Sequence, residues 1–301
     1  MIQSKRKFID EWPILDSGQW IQRVNNHKAI LDPVISPWLQ KRSAGGKNPV
    51  MDFLFEYYQF RPSHLLRWTP GTGVLLEKSS KEKLDIKELN SDKEYLYLNP
   101  GLIPAKRLRS FDWILKLLEF TQNVNPSFGC FGMHEWAMVY KTEDIRHEYL
   151  SLRLPRKKIT NFVESRPLVC THFDAFRFFT DAARPLNKNK LSRSGFAKTE
   201  QPGCLHTNMD LYKWAFKGYP WIPGDLIRKA FLLALETRVI DMKASPYELS
   251  EYGLDPIKIE TTRGRSEYLK RQKEIFSKSI PVRKSLIHSY KQIKLFYPGD
   301  S

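Results

Sequence analysis

Thr199-Glu200-Gln201-Pro202-Gly203-Cys204-Leu205-His206-Thr207-Asn208-Met209-Asp210-Leu211-Tyr212-Lys213-Trp214 opens on a Pro-Gly turn and runs into a predicted helix. On that helix His206 and Asp210 are four residues apart, so both side chains share one face. Cys204 and Asn208 lie close by, and Tyr212 and Trp214 follow. Short polar groups on an apolar, aromatic element are costly to bury unless they are paired or used. The segment therefore predicts a core helix that also carries chemistry.

Other predicted helices surround it. Pro104 opens a helix reaching about Gln122, with Leu108, Phe111, Leu115 and Leu118 as its apolar stripe. Asp225 to Lys243 is the longest apolar helix, interrupted by Glu236 and Asp241, and Ser245-Pro246-Tyr247 ends it. Val50 to Phe60 has helical spacing through Phe53 and Tyr57, and Leu54 and Tyr58. Ser266 to Lys278 reads as a basic helix, with Pro281 as a break beyond it. Val74–Lys78 and Tyr95–Leu98 read as short strands or irregular structure. The expected fold class is mainly α, a compact multi-helix domain with a few short strands. Three parts are expected: residues 1–48, an N-terminal segment packed on the core through Phe8, Trp12, Trp20 and Trp38; residues 49–260, a catalytic helical core; and residues 261–301, a basic helical C-terminal extension.

The chain has 301 residues, and its hydrophobic content of 41% supports a substantial core. No apolar run is long enough for a membrane span, and Met1–Asp10 is polar and charged, so no membrane association and a cytoplasmic protein are expected. Three scattered cysteines, Cys130, Cys170 and Cys204, argue against a disulfide framework or a cysteine zinc knuckle. The formal net charge of +16 favours polyanionic partners. The loop carrying Lys188, Lys190, Arg193 and Lys198 is the best phosphate-contact candidate, because it is punctuated by Ser and Gly and leads into the polar helix. No protein partner is expected. The turn Pro70-Gly71-Thr72-Gly73 could serve a helix-hairpin-helix only with a helix on each side, and its flanks look extended.

A second polar segment is Gly129-Cys130-Phe131-Gly132-Met133-His134-Glu135-Trp136, where two glycines allow close backbone approach. His134, Glu135, His172, Asp174, His206, Asp210, Glu236 and Asp241 are thus polar groups in apolar or aromatic surroundings, drawn from four segments. One reading is acid/base chemistry on a flipped nucleobase. Asp210 is the first choice for the carboxylate that stabilises an oxocarbenium-like state and Glu135 the second, with His206 and His134 beside them. Trp136, Tyr212, Trp214 and Asn208 would form the base pocket. No cofactor is needed in that reading. The alternative is a metal enzyme, with iron or another divalent metal held by His134, His172, His206, Asp210 and Glu236. A third possibility is a non-catalytic basic nucleic-acid-binding protein.

Several blocks together resemble one family. They are Gly46-Lys47-Asn48-Pro49-Val50-Met51-Asp52-Phe53-Leu54-Phe55-Glu56-Tyr57-Tyr58, Arg61-Pro62, Arg67-Trp68, His172-Phe173-Asp174-Ala175-Phe176-Arg177-Phe178-Phe179, Gln201 through Trp214, and Asp241-Met242-Lys243-Ala244-Ser245-Pro246-Tyr247. In these stretches the chain resembles a bacterial family that goes under the name 3-methyladenine DNA glycosylase, and the resemblance runs from about Gly46 to about Arg283. It implies a DNA repair hydrolase that acts in base excision repair, cleaving the N-glycosidic bond of alkylated purines in DNA. It brings no catalytic residue assignment with it.

Overall fold

In the computed structural model, which describes residues 11–145 and 147–296, the chain enters through a two-residue strand, β1 (Ile14–Leu15). Phe8 and Arg146 lie outside the described residues. Asp16 then caps helix α1 (Ser17–Ser43): its Oδ1 accepts from Gln19 N at 2.8 Å, and Gln19 Oε1 accepts from Asp16 N at 3.3 Å. This reciprocal box satisfies two of the amides a helix start leaves unpaired. The buried stripe Trp20, Val24, His27, Leu31, Ile35 and Trp38 recurs every three or four residues and continues past Pro33 and Pro37.

A regular helix was expected over Val50–Phe60. The structure instead has a widened π-type turn at Phe53–Tyr57. Asp52 anchors its start, accepting Trp38 Nε1–H on Oδ1 and Asn48 N–H on Oδ2, both at 2.8 Å. The Phe53 and Tyr57 rings stack at 4.7 Å, and Gln59 closes the turn at φ 56°.

After α2 (Pro62–Leu65), the Pro70–Gly73 turn packs inward. Thr72 N–H donates to Trp221 O at 2.9 Å, and a Cβ on Gly71 would stand 2.7 Å from the Pro223 ring. The turn leads into a strand, so the helix-hairpin-helix reading does not hold. Strands β2 (Leu75–Glu77), β3 (Leu89–Ser91) and β4 (Tyr95–Leu98) complete a four-stranded sheet in the order β1-β2-β4-β3. β1 pairs parallel to β2 (Ile14 with Leu75), while β4 runs antiparallel to both its neighbours.

The remaining elements are helical: α3 (Ala105–Asn123), α4 (Met133–Ala137), α5 (Arg156–Glu164), α6 (Phe173–Phe176), α7 (Phe196–Thr199), α8 (Leu205–Lys217), α9 (Gly224–Lys243) and α10 (Thr262–Phe296). The fold is mainly α with one small sheet. On α3 Phe111, Leu115 and Leu118 are buried as the stripe requires, and Leu108 is half-buried against the core. Among the described residues no helix is long and apolar enough to cross a membrane.

Pro281 does not break the C-terminal helix, because α10 continues through it. Nor is this helix an appendage. It packs on α3, α8 and α9 and buries Tyr268, Gln272, Ile275, Arg283, Leu286 and Tyr290. Polar clamps fix its register: Tyr290 Oη–H donates to Trp214 O at 2.6 Å and Gln272 Nε2–H to Gly203 O at 2.7 Å. One apolar cluster runs from Leu31 on α1 to Ile293 on α10, so the segment expected to extend from the core forms a wall of it. Truncating fully buried Leu286 to Ala leaves a cavity in that wall and should cost about 2–5 kcal/mol. Urea unfolding checks this; a cost below about 1 kcal/mol would mean that α10 is only loosely docked.

Candidate active site

Side chains of α4 and α8 meet where tight packing leaves two glycines little room. Gly132 starts α4 at φ +72°, a conformation that side-chain-bearing residues adopt with strain, and a Cβ there would lie a tight 3.2 Å from Ala244 Cβ and from the Tyr268 ring. Gly203 precedes α8 more tightly still: a Cβ would stand 2.4 Å from Ser127 O. As a result His134 and Glu135 on α4, His172 just before α6, Asp174 on α6, His206 and Asp210 on α8, and Asp241 on α9 surround one volume. The His134 and His206 rings meet edge to face at 4.3 Å, and His172 stacks on His206 at 5.3 Å.

Arg238 organises one half of this volume. It is 1% exposed, and its Nη1 donates to Glu135 Oε1 at 2.8 Å and to Asp241 Oδ2 at 2.6 Å. Burial alone would raise the Glu135 pKa, but the adjacent guanidinium outweighs it and holds the carboxyl below its usual range. Asp241 is likewise lowered against its burial, chiefly by His134, whose Nε2 lies 3.0 Å from Asp241 Oδ1. Burial works against the charged form of His134 too, yet Asp241 pushes its pKa up to about 10. His206 moves the other way: burial lowers its pKa well below the usual value, and the neighbouring His134 adds to the effect. Among the described residues the His206 ring has no hydrogen-bond partner.

Lys213 organises the other half. Its Nζ lies 3.1 Å from Asp174 Oδ2 and 3.2 Å from Asp210 Oδ2. Tyr58 Oη–H donates to Asp210 Oδ1 at 2.8 Å. His172 Nδ1 bonds Glu200 Oε1 at 2.7 Å, and Thr207 Oγ1–H donates to Glu200 Oε2. Glu200 raises the His172 pKa against the effect of burial.

A cleft of about 380 Å³ opens onto this cluster. Phe53, Tyr57, Tyr149, Phe178 and Met138 line its walls, and Glu135, Asp174, His206 and Arg238 reach its surface. Asp52, Glu56 and Lys47 line it as well. Among the described lining residues carboxylates outnumber Lys and Arg, within a chain of net charge +16.

Of the polar residues singled out in the sequence, the structure brings together His134, Glu135, His172, Asp174, His206, Asp210 and Asp241. Glu236 does not join them. It lies two residues from Arg238 on α9, hence on another face of that helix, and pairs with Lys278 at 2.5 Å with 42% of its side chain exposed. Asp210 is not a free carboxylate, because Tyr58 and Lys213 occupy it. The expected base pocket is also displaced. Trp136 is fully buried, donating to Ala244 O at 2.9 Å and packing on Phe162. Tyr212 is buried among Tyr58, Phe60, Phe216 and Phe231, and Trp214 packs on Trp113. Asn208 is a clamp: its amide donates to Pro202 O at 2.9 Å, and its Oδ1 accepts from Arg283 Nη2 at 2.6 Å. All four serve the core. Arg238, Lys213 and Glu200 were missed, although Arg238-Val239-Ile240-Asp241 sets opposite charges three residues apart on an apolar helix, a pairing signal.

Lys188, Lys190, Arg193 and Lys198 are exposed, and Asn187 pins the start of their loop by hydrogen bonds to Cys170 N and O. The end of the loop is tied to the site, as the Phe196 ring contacts both His172 and Lys213. No protein-family model, curated protein or solved structure matches this chain.

Replacing Lys213 by Met leaves Asp174 and Asp210 facing each other without their shared cation. Losing one partner of a buried ion pair costs roughly 3–5 kcal/mol, and water reaching Asp174, a quarter exposed, reduces this to about 2–3 kcal/mol. A denaturant titration of the Lys213→Met variant measures it; an unchanged midpoint would refute this compensating role.

Proposed function

We propose that the chain is a hydrolase that cleaves the N-glycosidic bond of alkylated purines in DNA, with Glu135 rather than Asp210 as the working carboxylate. One observation carries the reading: Glu135 Oε2 is buried and without a hydrogen-bond partner, on a residue that reaches the surface of an aromatic-walled cleft. Oε1 is fixed by Arg238, so the carboxylate is held in one orientation and ionised. Such a preorganised anion favours positive charge that develops beside it.

The chemistry follows from that placement. Alkylation on a ring nitrogen gives the purine a positive charge. As the bond from C1′ to the base nitrogen breaks, the base takes the bonding electrons and departs neutral. The charge moves onto the sugar as an oxocarbenium ion, which Glu135 stabilises. Water adds at C1′ and passes its excess proton to solvent, which completes the hydrolysis. The cleft suits the cationic base on two counts, because aromatic faces attract cations and the surrounding carboxylates attract them further. Its size lies in the range of small-molecule sites. To reach it from a duplex, the nucleotide would have to be flipped out of the stack. The net charge of +16 supports DNA as the partner, and the Lys188–Lys198 loop supplies exposed cations for its phosphates.

The test is free base released from DNA methylated in vitro. The wild-type chain should release methylated purine, and Glu135→Gln, which keeps an oxygen for Arg238, should lower the rate by about 10²–10³ while retaining salt-sensitive DNA binding. Asp210→Asn should act mainly on stability. No release by the wild type, or a Glu135→Gln variant of undiminished rate, would overturn the assignment.

A further inference from the structure

We propose that His134, His206 and Asp241 bind one divalent first-row transition-metal ion beside Glu135. The inference goes beyond base excision and does not depend on the substrate.

Spacing is the first argument. One ligand atom from each of the three residues can be chosen so that all lie within 4.8 Å of one another. His134 Nε2 and Asp241 Oδ1 are 3.0 Å apart, yet neither has a partner of hydrogen-bond geometry. The two form an ion pair when His134 is protonated, but the contact lacks the direction of a hydrogen bond, and a metal ion taking the place of that proton would use both atoms. Adjacent ligands of one ion show this arrangement: with bonds of about 2.1 Å their atoms stand about 3.0 Å apart in an octahedral site and about 3.4 Å apart in a tetrahedral one.

The unsatisfied atoms are the second argument. His134 is 2% exposed and Asp241 is fully buried, and an orphaned polar atom at such depth is costly. Asp241 uses its other oxygen, Oδ2, to bind Arg238, which orients Oδ1 toward His134, as outer hydrogen bonds orient metal ligands. Glu135 Oε2 is a third orphan in the same place. His206 has no hydrogen bond among the described residues, and it reaches the cleft, so a coordination position would face substrate. Two imidazoles and a carboxylate suit iron, manganese, cobalt or zinc, and leave positions open for chemistry.

The neighbouring group sharpens the choice. His172, Asp174 and Asp210 are also close enough to hold an ion. There, however, the Lys213 ammonium already lies within 3.2 Å of both carboxylates, and Tyr58 takes the second oxygen of Asp210. Lys213 thus does electrostatically what an ion would do. The first group has no such ammonium, and Arg238 leaves the inner oxygens of Glu135 and Asp241 free.

The experiment uses the full chain purified without a metal-binding tag, stripped with chelator, and titrated separately with Mn²⁺, Zn²⁺ and, without oxygen, Fe²⁺. Metal retained after gel filtration is counted by plasma mass spectrometry, and thermal melts are recorded alongside. At least one ion should be retained at one equivalent per chain and raise Tm. His206→Ala, at a half-buried position, should weaken binding by at least tenfold, as should Asp241→Asn if it folds. Asp174→Asn should retain one equivalent. Retention of none of the three ions, or unchanged retention in His206→Ala, would overturn the site, as would loss of the ion in Asp174→Asn. Neither readout involves base release, so failure of this site and failure of the glycosylase reading are distinguishable.

Discussion

Arg238 is the constraint on which the site depends. A guanidinium keeps its charge, so at 1% exposure it can be buried only with anions beside it, and Glu135 and Asp241 supply them at 2.8 and 2.6 Å. The requirement runs both ways, because two carboxylates this deep would take up protons without the cation. The same three charges join α4 to α9 and hold one oxygen of each carboxylate, leaving the other oxygens to face inward. Positioning the reactive group and stabilising the fold are here one interaction.

The site divides into two halves, each built around one cation. In the Arg238 half the cation sits at the back and leaves unsatisfied oxygens and an imidazole nitrogen in front. In the Lys213 half the ammonium bridges Asp174 and Asp210 directly. Six ionisable groups, His134, His206 and Asp241 in one half and His172, Asp174 and Asp210 in the other, come from α4, α6, α8, α9 and the residue just before α6, and they are compensated in different ways. That is why two similar His/Asp groups have different chemical prospects. Phe196 joins the second half to the basic loop, so the best candidate segment for phosphate contact is packed against the site rather than remote from it.

Much of this was legible in the chain. The stripe on α3, the long apolar α9 and the polar helix α8 follow from periodicity, and β2 and β4 fall where the chain reads as short strands or irregular structure, whereas β1 and β3 carried no such signal. The polar groups in apolar segments marked seven residues that do converge. What periodicity could not give was which face each side chain presents. Glu236 and Asp241 interrupt the same helix, but they point in different directions, and only Asp241 meets the cluster. Trp136 and Tyr212 looked as suitable for a cleft wall as Phe53 and Tyr57. Their rings were drawn into the core by Ala244 O and by the aromatic stack around Phe60, while a π-type turn swung Phe53 and Tyr57 toward the cleft. Pro281 carried a break signal that the packing of α10 overrides.

By itself the sequence determined the helical class, the net charge of +16 and the chemical character of the site, because these depend on residue type and on spacing along one element. Only the tertiary structure decided which carboxylate is free and which is occupied. Asp210 and Glu135 are equivalent candidates in the chain, but Tyr58 lies 152 positions from Asp210 and Arg238 lies 103 from Glu135. Whether a buried anion has a partner is settled by contacts between distant segments, and no local pattern encodes them.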